Sequence, residues 1–280
     1  STSQAYYSIN GGLNWIVPVN PISLYNNFSL GVSANNILSV SGGFMASVNP
    51  SDSAWEIHSY GYSLNDNVGV VKSGNKLFSV AKQGGLSSSS DGGKNWIFEN
   101  KLKGIKSNSL YAIDSLVFLC SQNGIYKSYN YGVSWTHINS TSGVSFKKVL
   151  KKGNTIIGAT NNGIMLSVNN GNSWSSSSTM FSNPLINDVV INVDTLICAT
   201  DKGLYKSTNN GLSWTLIINN LKDSIIKNVE THNFNIFCTT NKCVYSSVNN
   251  AFSFSSIYCA SSKINDFFAK DSSYFVATQN

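Results

Sequence analysis

The sequence contains no arginine: all 19 cationic residues among its 280 are lysine. That absence removes the planar bidentate fork on which most phosphate, carboxylate and base-edge recognition relies, so specific nucleic-acid reading is not expected. Lysine still attracts anions as a point charge, and Lys101, Lys103 and Lys106, then Lys147, Lys148, Lys151 and Lys152, are the two dense runs. Charge of either sign is scarce at 11% of residues, and only Glu56, Glu99 and Glu230 are glutamate. No apolar run approaches the roughly 18 residues that span a bilayer. The opening STSQAYYSINGG lacks the basic and apolar regions of a signal peptide, so a soluble chain is expected. Helical periodicity is missing throughout. His58, His137 and His232 have no second ligand at short spacing, so no metal and no cofactor are expected.

What is present is amide and hydroxyl. Ser occurs 47 times and Asn 38 times, alongside 41% apolar residues, which is too much apolar content for a disordered chain. These residues fall in a repeat. SINGGLNW (Ser8 to Trp15) recurs as SSDGGKNW (Ser89 to Trp96), SYNYGVSW (Ser128 to Trp135), SVNNGNSW (Ser167 to Trp174) and STNNGLSW (Ser207 to Trp214). SVNNAFSF (Ser247 to Phe254) is a decayed copy, and SVNPSDSAW (Ser47 to Trp55) carries one extra residue. The closing aromatics stand at 15, 55, 96, 135, 174, 214 and 254, a period of about 40 that fills the chain.

Each unit reads as four short β-rich runs separated by turn compositions; in one they are INDVVIN, TLICAT, LYKS and SWTLII. The first two are continuously apolar, as strands covered on both faces are, and the last two are more polar, as expected toward a rim. Four-stranded units of this length arranged radially predict an all-β fold, a seven-bladed β-propeller occupying residues 1–280 as one domain. KINDFFAKDSSYFVATQN at the end matches the first two strands of a unit, whereas QAYYS and NWIVPV at the beginning match the third and fourth. The closing blade is therefore expected from 1–20 plus 263–280, two strands from each end, which leaves no open edge.

The repeat resembles the Asp-box, or BNR repeat, Ser-x-Asp-x-Gly-x-Thr-Trp, found in sialidases, sortilin-type receptors, photosystem II assembly factors and xyloglucan-degrading glucanases. The resemblance covers the whole chain and implies a hairpin between the third and fourth strands of each blade. The acidic position is Asp91 in one copy and Asn10, Asn130, Asn169, Asn209 and Asn249 in others; Trp15, Trp55, Trp96, Trp135, Trp174, Trp214 and Phe254 close the boxes. Asn makes the same Asx-turn bonds as Asp, and Gly supplies positive φ, so the motif is read as scaffold. The sialidase members grip a sugar carboxylate with an arginine triad, and the photosystem assembly factors bind through an arginine patch; neither can be matched here. The glucanases use two Asp residues, usually between two propellers.

Function must then lie in what differs between blades. Counting back sixteen residues from the Gly that opens each third strand, the column reads Asn27, Gly69, Asn108, Lys147, Asn187, Lys227 and Asn265. The next reads Phe28, Val70, Ser109, Lys148, Asp188, Asn228 and Asp266. These residues begin the innermost strands and should ring one mouth of the central channel, where amides, amines and carboxylates are able to hold a sugar or small polyol. Asn27, Asn108, Lys147, Lys148, Asn187, Lys227, Asn228 and Asn265 are the ligand-binding candidates. Asp188 and Asp266, two blades apart, form the one carboxylate pair with which a glycosidase alternative would work. Cys120, Cys198 and Cys238 read as small buried groups of second strands, and Cys238 with Cys243 brackets a hairpin closely enough for a disulfide. The favoured reading is a non-enzymatic module, secreted or at the cell surface, that presents a rigid disc to a protein or glycan, monomeric and possible as part of a larger assembly.

Overall fold

A computed structural model of the chain describes residues 2–8, 13–15, 24–25, 28–33, 36–41, 44–48, 56–57, 67–177, 185–270 and 273–279. Asn10, Asn27, Trp55 and His58 lie outside the described residues. The described strands form seven four-stranded antiparallel sheets, and the architecture is a β-propeller. In chain order we number the blades 1 (28–57), 2 (67–103), 3 (107–137), 4 (146–176), 5 (186–216), 6 (228–259) and 7. Blade 7 runs from its inner strand Ile264–Lys270 through Ser273–Gln279 to Thr2–Ser8 and then Leu24–Tyr25, so both ends of the chain share one sheet. Leu24–Tyr25 pairs with Thr2–Ser8 as the outermost described strand of this sheet, and residues 16–19 of the expected stretch 14–19 lie outside the described residues. Each inner strand lies against the inner strand of the next blade, and Ile264–Lys270 lies against Phe28–Ser33, which completes a cycle.

Burial follows position in the blade. Second strands such as Leu116–Ser121 and Thr195–Thr200 are buried at every residue but the first, because a neighbouring blade covers each face. The third strand Gly124–Ser128 is buried almost as fully, against the expectation that such strands lie toward a rim, whereas the outer strand Ser175–Ser176 is exposed at both residues. The core consists of the seams between blades. One seam joins Ile157 and Leu166 of blade 4 to Val189, Leu196 and Trp214 of blade 5, and the next joins Ile197 and Leu204 of blade 5 to Val229, Ile236 and Phe254 of blade 6.

The repeated turns explain how these seams are sealed. Ser167 Oγ accepts from Gly171 N at 2.9 Å and donates to Asn169 Oδ1 at 3.0 Å; Asn169 Oδ1 also accepts from Ser173 N at 2.9 Å. Asn130, Asn209 and Asn249 repeat this geometry. Where the carboxylate is kept, Asp91 accepts from Asn95 Nδ2 at 2.6 Å; where Asn stands, its amide donates to a Ser hydroxyl, as Asn169 does to Ser173 at 2.8 Å. Asp is thus paired with Asn four residues on, and Asn with Ser, so donor and acceptor are matched either way. Trp96, Trp135, Trp174 and Trp214 donate their indole N–H to the turn's Gly carbonyl, at 3.2 Å for Trp174, whose ring fills the seam with the preceding blade, whereas Trp15 donates to Ile257 O at 3.4 Å. Burying a ring of about 150–250 Å² at ~25 cal/mol/Å² contributes up to about 4–6 kcal/mol per copy.

The turn's Gly docks on that same preceding blade. Gly132 has φ +75, and a Cβ there would stand 2.6 Å from the Phe78 ring; at Gly211, φ +85, the nearest atom would be Leu166 Cδ2 at 3.1 Å. In blade 6 the position is Ala251, which adopts φ 67 nonetheless. We therefore expect Gly132→Ala to cost on the order of 2–4 kcal/mol, strain and overlap together, and Gly211→Ala to cost less because the Leu166 side chain can yield. Chemical denaturation of the two variants checks the order; equal and negligible losses would contradict the docked turn.

Candidate channel-mouth site

The propeller's inner strands all begin at one mouth of the central channel, and a cavity of about 540 Å³ opens there. In five blades the inner strand carries an extra residue near its start, where the register slips: Val68, Asn108, Lys147, Asn187 and Asn265. A bulge re-aims its side chain, and here it aims three of them at the next blade. Asn108 Nδ2 donates to Phe146 O at 2.7 Å, Lys147 Nζ to Ile186 O at 2.5 Å, and Asn187 Nδ2 to Ile226 O at 2.8 Å. Each accepting carbonyl belongs to the residue just before the corresponding position one blade on. In blades 3 to 5 the expected column, Asn108, Lys147 and Asn187, thus lines the cavity and also clamps each blade to the next.

The second column continues the pattern. Ser109 Oγ donates to Lys147 O at 2.7 Å, and Lys148 Nζ pairs with Asp188 Oδ1 at 2.7 Å. Asp188 also accepts from its neighbour's amide, Val189 N, at 2.7 Å and from Val229 N of blade 6 at 3.1 Å. One carboxylate thus ties blades 4, 5 and 6. Three lysines of the blade 4 run likewise serve the seam: Lys147, Lys148 and Lys152 all reach blade 5, the last through Asp194 O. Asn228, Asn265 and Asp266 line the cavity; Lys227 sits just before its strand and is not among the lining residues. In blade 2 the bulge falls on Val68, with Gly69 one place later, because the third strand opens at Gly84 and not at Gly85.

Glu230 is a lining residue that the column count passed over. It follows Asn228 by two on the same inner strand, and the two-residue period of a strand puts both on the channel face. Burial, and then the nearby Asp266, push its carboxyl up to about 8, with Lys148 opposing. Burial works against the Lys148 ammonium too, but Asp188, with Glu230 and Asp266 behind it, offsets this and the lysine is held above its usual range. Lys147 is lowered by burial and by Lys227.

The cysteines differ from expectation. Cys243 is bonded to Cys259, not to Cys238. Cys243 and Cys259 stand directly opposite in the ladder between the third and outer strands of blade 6, 4.1 Å apart at Cα, whereas Cys238 is a buried second-strand residue facing Tyr245 in its ladder. Cys120, Cys198 and Cys238 are buried free thiols, as expected from their strands. His137 rests its Nε2 against Asn123 O at 3.0 Å, and His232 lies on the inner strand of blade 6.

No protein-family model matches the chain, and no curated protein matches it in sequence. Solved structures do. YCF48 from Cyanidioschyzon merolae is 14% identical over 89% of this chain and 94% of its own, with a TM-score of 0.68; YCF48 has also been solved bound to a D1 peptide. The extracellular domain of a hybrid two component system of B. thetaiotaomicron is 16% identical over 86% of this chain and 35% of its own, TM-score 0.68. An ancestral GH74 enzyme is 22% identical over 68% of this chain and 31% of its own, TM-score 0.54. At these identities the likeness establishes the propeller fold.

Glu230 makes the site's electrostatics measurable. Its folded value of about 8 lies above the ordinary 4.5, so its contribution to stability is complete below pH 4.5 and is lost as pH rises through 8. Relative to Glu230→Gln, the wild type should melt progressively lower from pH 5 to pH 8.5. Parallel melting curves for the two proteins across that range would show that Glu230 titrates normally.

Proposed function

We propose that the chain is a non-enzymatic binding or scaffold propeller, secreted or displayed at the cell surface, whose single domain presents the channel mouth to a protein or glycan partner. The observation that carries this reading is the state of Asp188. A general acid or base must exchange a proton with substrate, and this carboxylate is engaged by Lys148 and two backbone amides that hold three blades together. Of the two carboxylates that the glycosidase reading needs, Asp188 is thus taken up in holding the seams. YCF48 with its D1 peptide and the extracellular two-component domain support a binding role among propellers of this shape.

Two further features support the finer reading. The repeated Ser, Asp or Asn, Gly and Trp turn bonds agree with Asp-box ancestry. The Cys243–Cys259 bond fits an oxidising compartment outside the cytosol. A glycosidase remains the second reading, because Asp188 and Asp266 both line the cavity and a GH74 enzyme shares the fold.

Asp266→Asn separates the two readings with less structural cost than Asp188→Asn, which would also break the three-blade tie. Screening wild type and variant against plant, bacterial and host glycans for reducing-end release should give no turnover in either. Bound ligands should show micromolar to millimolar affinity that changes less than about tenfold on substitution. Sustained release abolished by Asp266→Asn would establish the enzyme instead.

A further inference from the structure

The outer strand of blade 2 is longer than its counterparts. It runs seven residues, Ile97–Lys103, where blades 3, 4 and 5 have two, and among the described residues no strand pairs beyond it. An edge strand of that length presents unpaired N–H and C=O groups to solvent. Ile97 is 70% exposed and Phe98 41%, so this edge is also apolar where it begins. Glu99, the one carboxylate of the strand, accepts from Ser88 Oγ at 2.8 Å and pairs with Lys101 Nζ at 2.6 Å.

The strand changes character after Glu99. Glu99 pairs with Leu86 and Lys103 with Gly84, so Asn100, Lys101 and Leu102 stand against Gly85 alone. A bulge re-aims side chains, and these three, with Lys103, line one side of a groove of about 400 Å³ between the rims of blades 2 and 3. Tyr126, Val133 and Trp135 of blade 3 line the other. Trp96, Trp174 and Trp214 are buried, but Trp135 is only partly so. The strand's end is seated on Gly84, φ +93, where a Cβ would stand 2.6 Å from Ile105 N, and this fixes the shape of the groove.

Charge decides what fits. No carboxylate lines the groove, Lys101 and Lys103 both do, and among the described residues Lys103 pairs with no carboxylate. Between residues 94 and 106 four lysines stand against one glutamate. Lysines on an edge repel a second copy of the same edge and so guard against self-association, yet they favour a strand that is acidic. Leu102, Ile105 and Val133 give no hydrogen bonds to sugar hydroxyls but admit an apolar side chain, and the open strand offers backbone groups that a peptide can pair.

We propose that the rim of blades 2 and 3 is a second binding site, separate from the channel mouth, that captures an extended acidic peptide segment. The segment adds a strand alongside Ile97–Glu99, where the ladder is regular, places an apolar side chain beside Trp135 and sets a carboxylate on Lys103.

Fluorescence anisotropy of the full chain with a labelled decapeptide of alternating Glu and Val tests it. This peptide should bind at least about tenfold more tightly than the matching decapeptide of Lys and Val. N-methylation of one alternate set of its amides should cost about tenfold or more, and of the other set little, because only one set faces the strand. Lys103→Glu and Val133→Asp, both at exposed positions, should each weaken binding about fivefold or more with melting unchanged, whereas Asp266→Asn at the mouth should have no effect. No binding of the acidic decapeptide, equal binding of the lysine peptide, or indifference to both methylated sets and both rim substitutions overturns the proposal. Loss of binding on Asp266→Asn would move the peptide to the mouth and overturn it as well. So would an oligogalacturonate that binds more tightly than the peptide and is weakened by the same two rim substitutions, since the groove would then be a glycan site.

Discussion

A sheet of four short strands has two apolar faces and cannot cover either by itself, and every other feature of this protein answers to that constraint. Second strands such as Leu116–Ser121 are apolar on successive residues because a neighbour lies on each side. The repeat Trp lies in the seam with the preceding blade, and the turn's Gly comes so close to that blade that Gly132 and Gly171 leave no room for a Cβ beside Phe78 and Phe118. A blade at the end of an open array would leave one face bare. Sharing blade 7 between the two ends of the chain avoids this without a separate cap.

At the mouth the same requirement meets a second one. Inner strands converge there with few residues to pack, and the seams are closed by polar bonds: Asn108, Lys147 and Asn187 each reach a carbonyl of the next blade, and Asp188 joins three blades. Polar groups spent on these bonds are no longer available in full to a ligand. The mouth therefore divides into a clamped sector in blades 3 to 5 and an acidic sector in blades 6 and 7, where Glu230 and Asp266 face the cavity.

The fold was legible because its signal is local. Ser, Asn, Gly and Trp fall within eight residues, and their turn chemistry needs nothing from elsewhere in the chain. The clamps were not legible, since Lys147 and its acceptor Ile186 O are separated by about one repeat and nothing in either segment announces the other. The Cys243–Cys259 bond depends on the register between a third and an outer strand, which a two-residue-per-turn hairpin count around Cys238 does not capture. Glu230 was within reach: alternation from Asn228 places it on the channel face. Paired glycines, Gly84 and Gly85, left the start of a strand ambiguous by one residue and moved the mouth column of blade 2 from Val68 to Gly69.

The central claim is that the bulge residues of the mouth hold blades to one another. Hydrogen exchange read by mass spectrometry on Asn187→Ala tests it most directly, because that substitution removes the 2.8 Å clamp to Ile226 O, besides only a long 3.4 Å contact from Lys147, and little buried apolar surface. The account predicts faster exchange greatest on both sides of one seam, the inner strands Ile186–Asn192 and Asn228–His232, with the seam between blades 2 and 3 unchanged. Exchange identical to the wild type in both strands would contradict it.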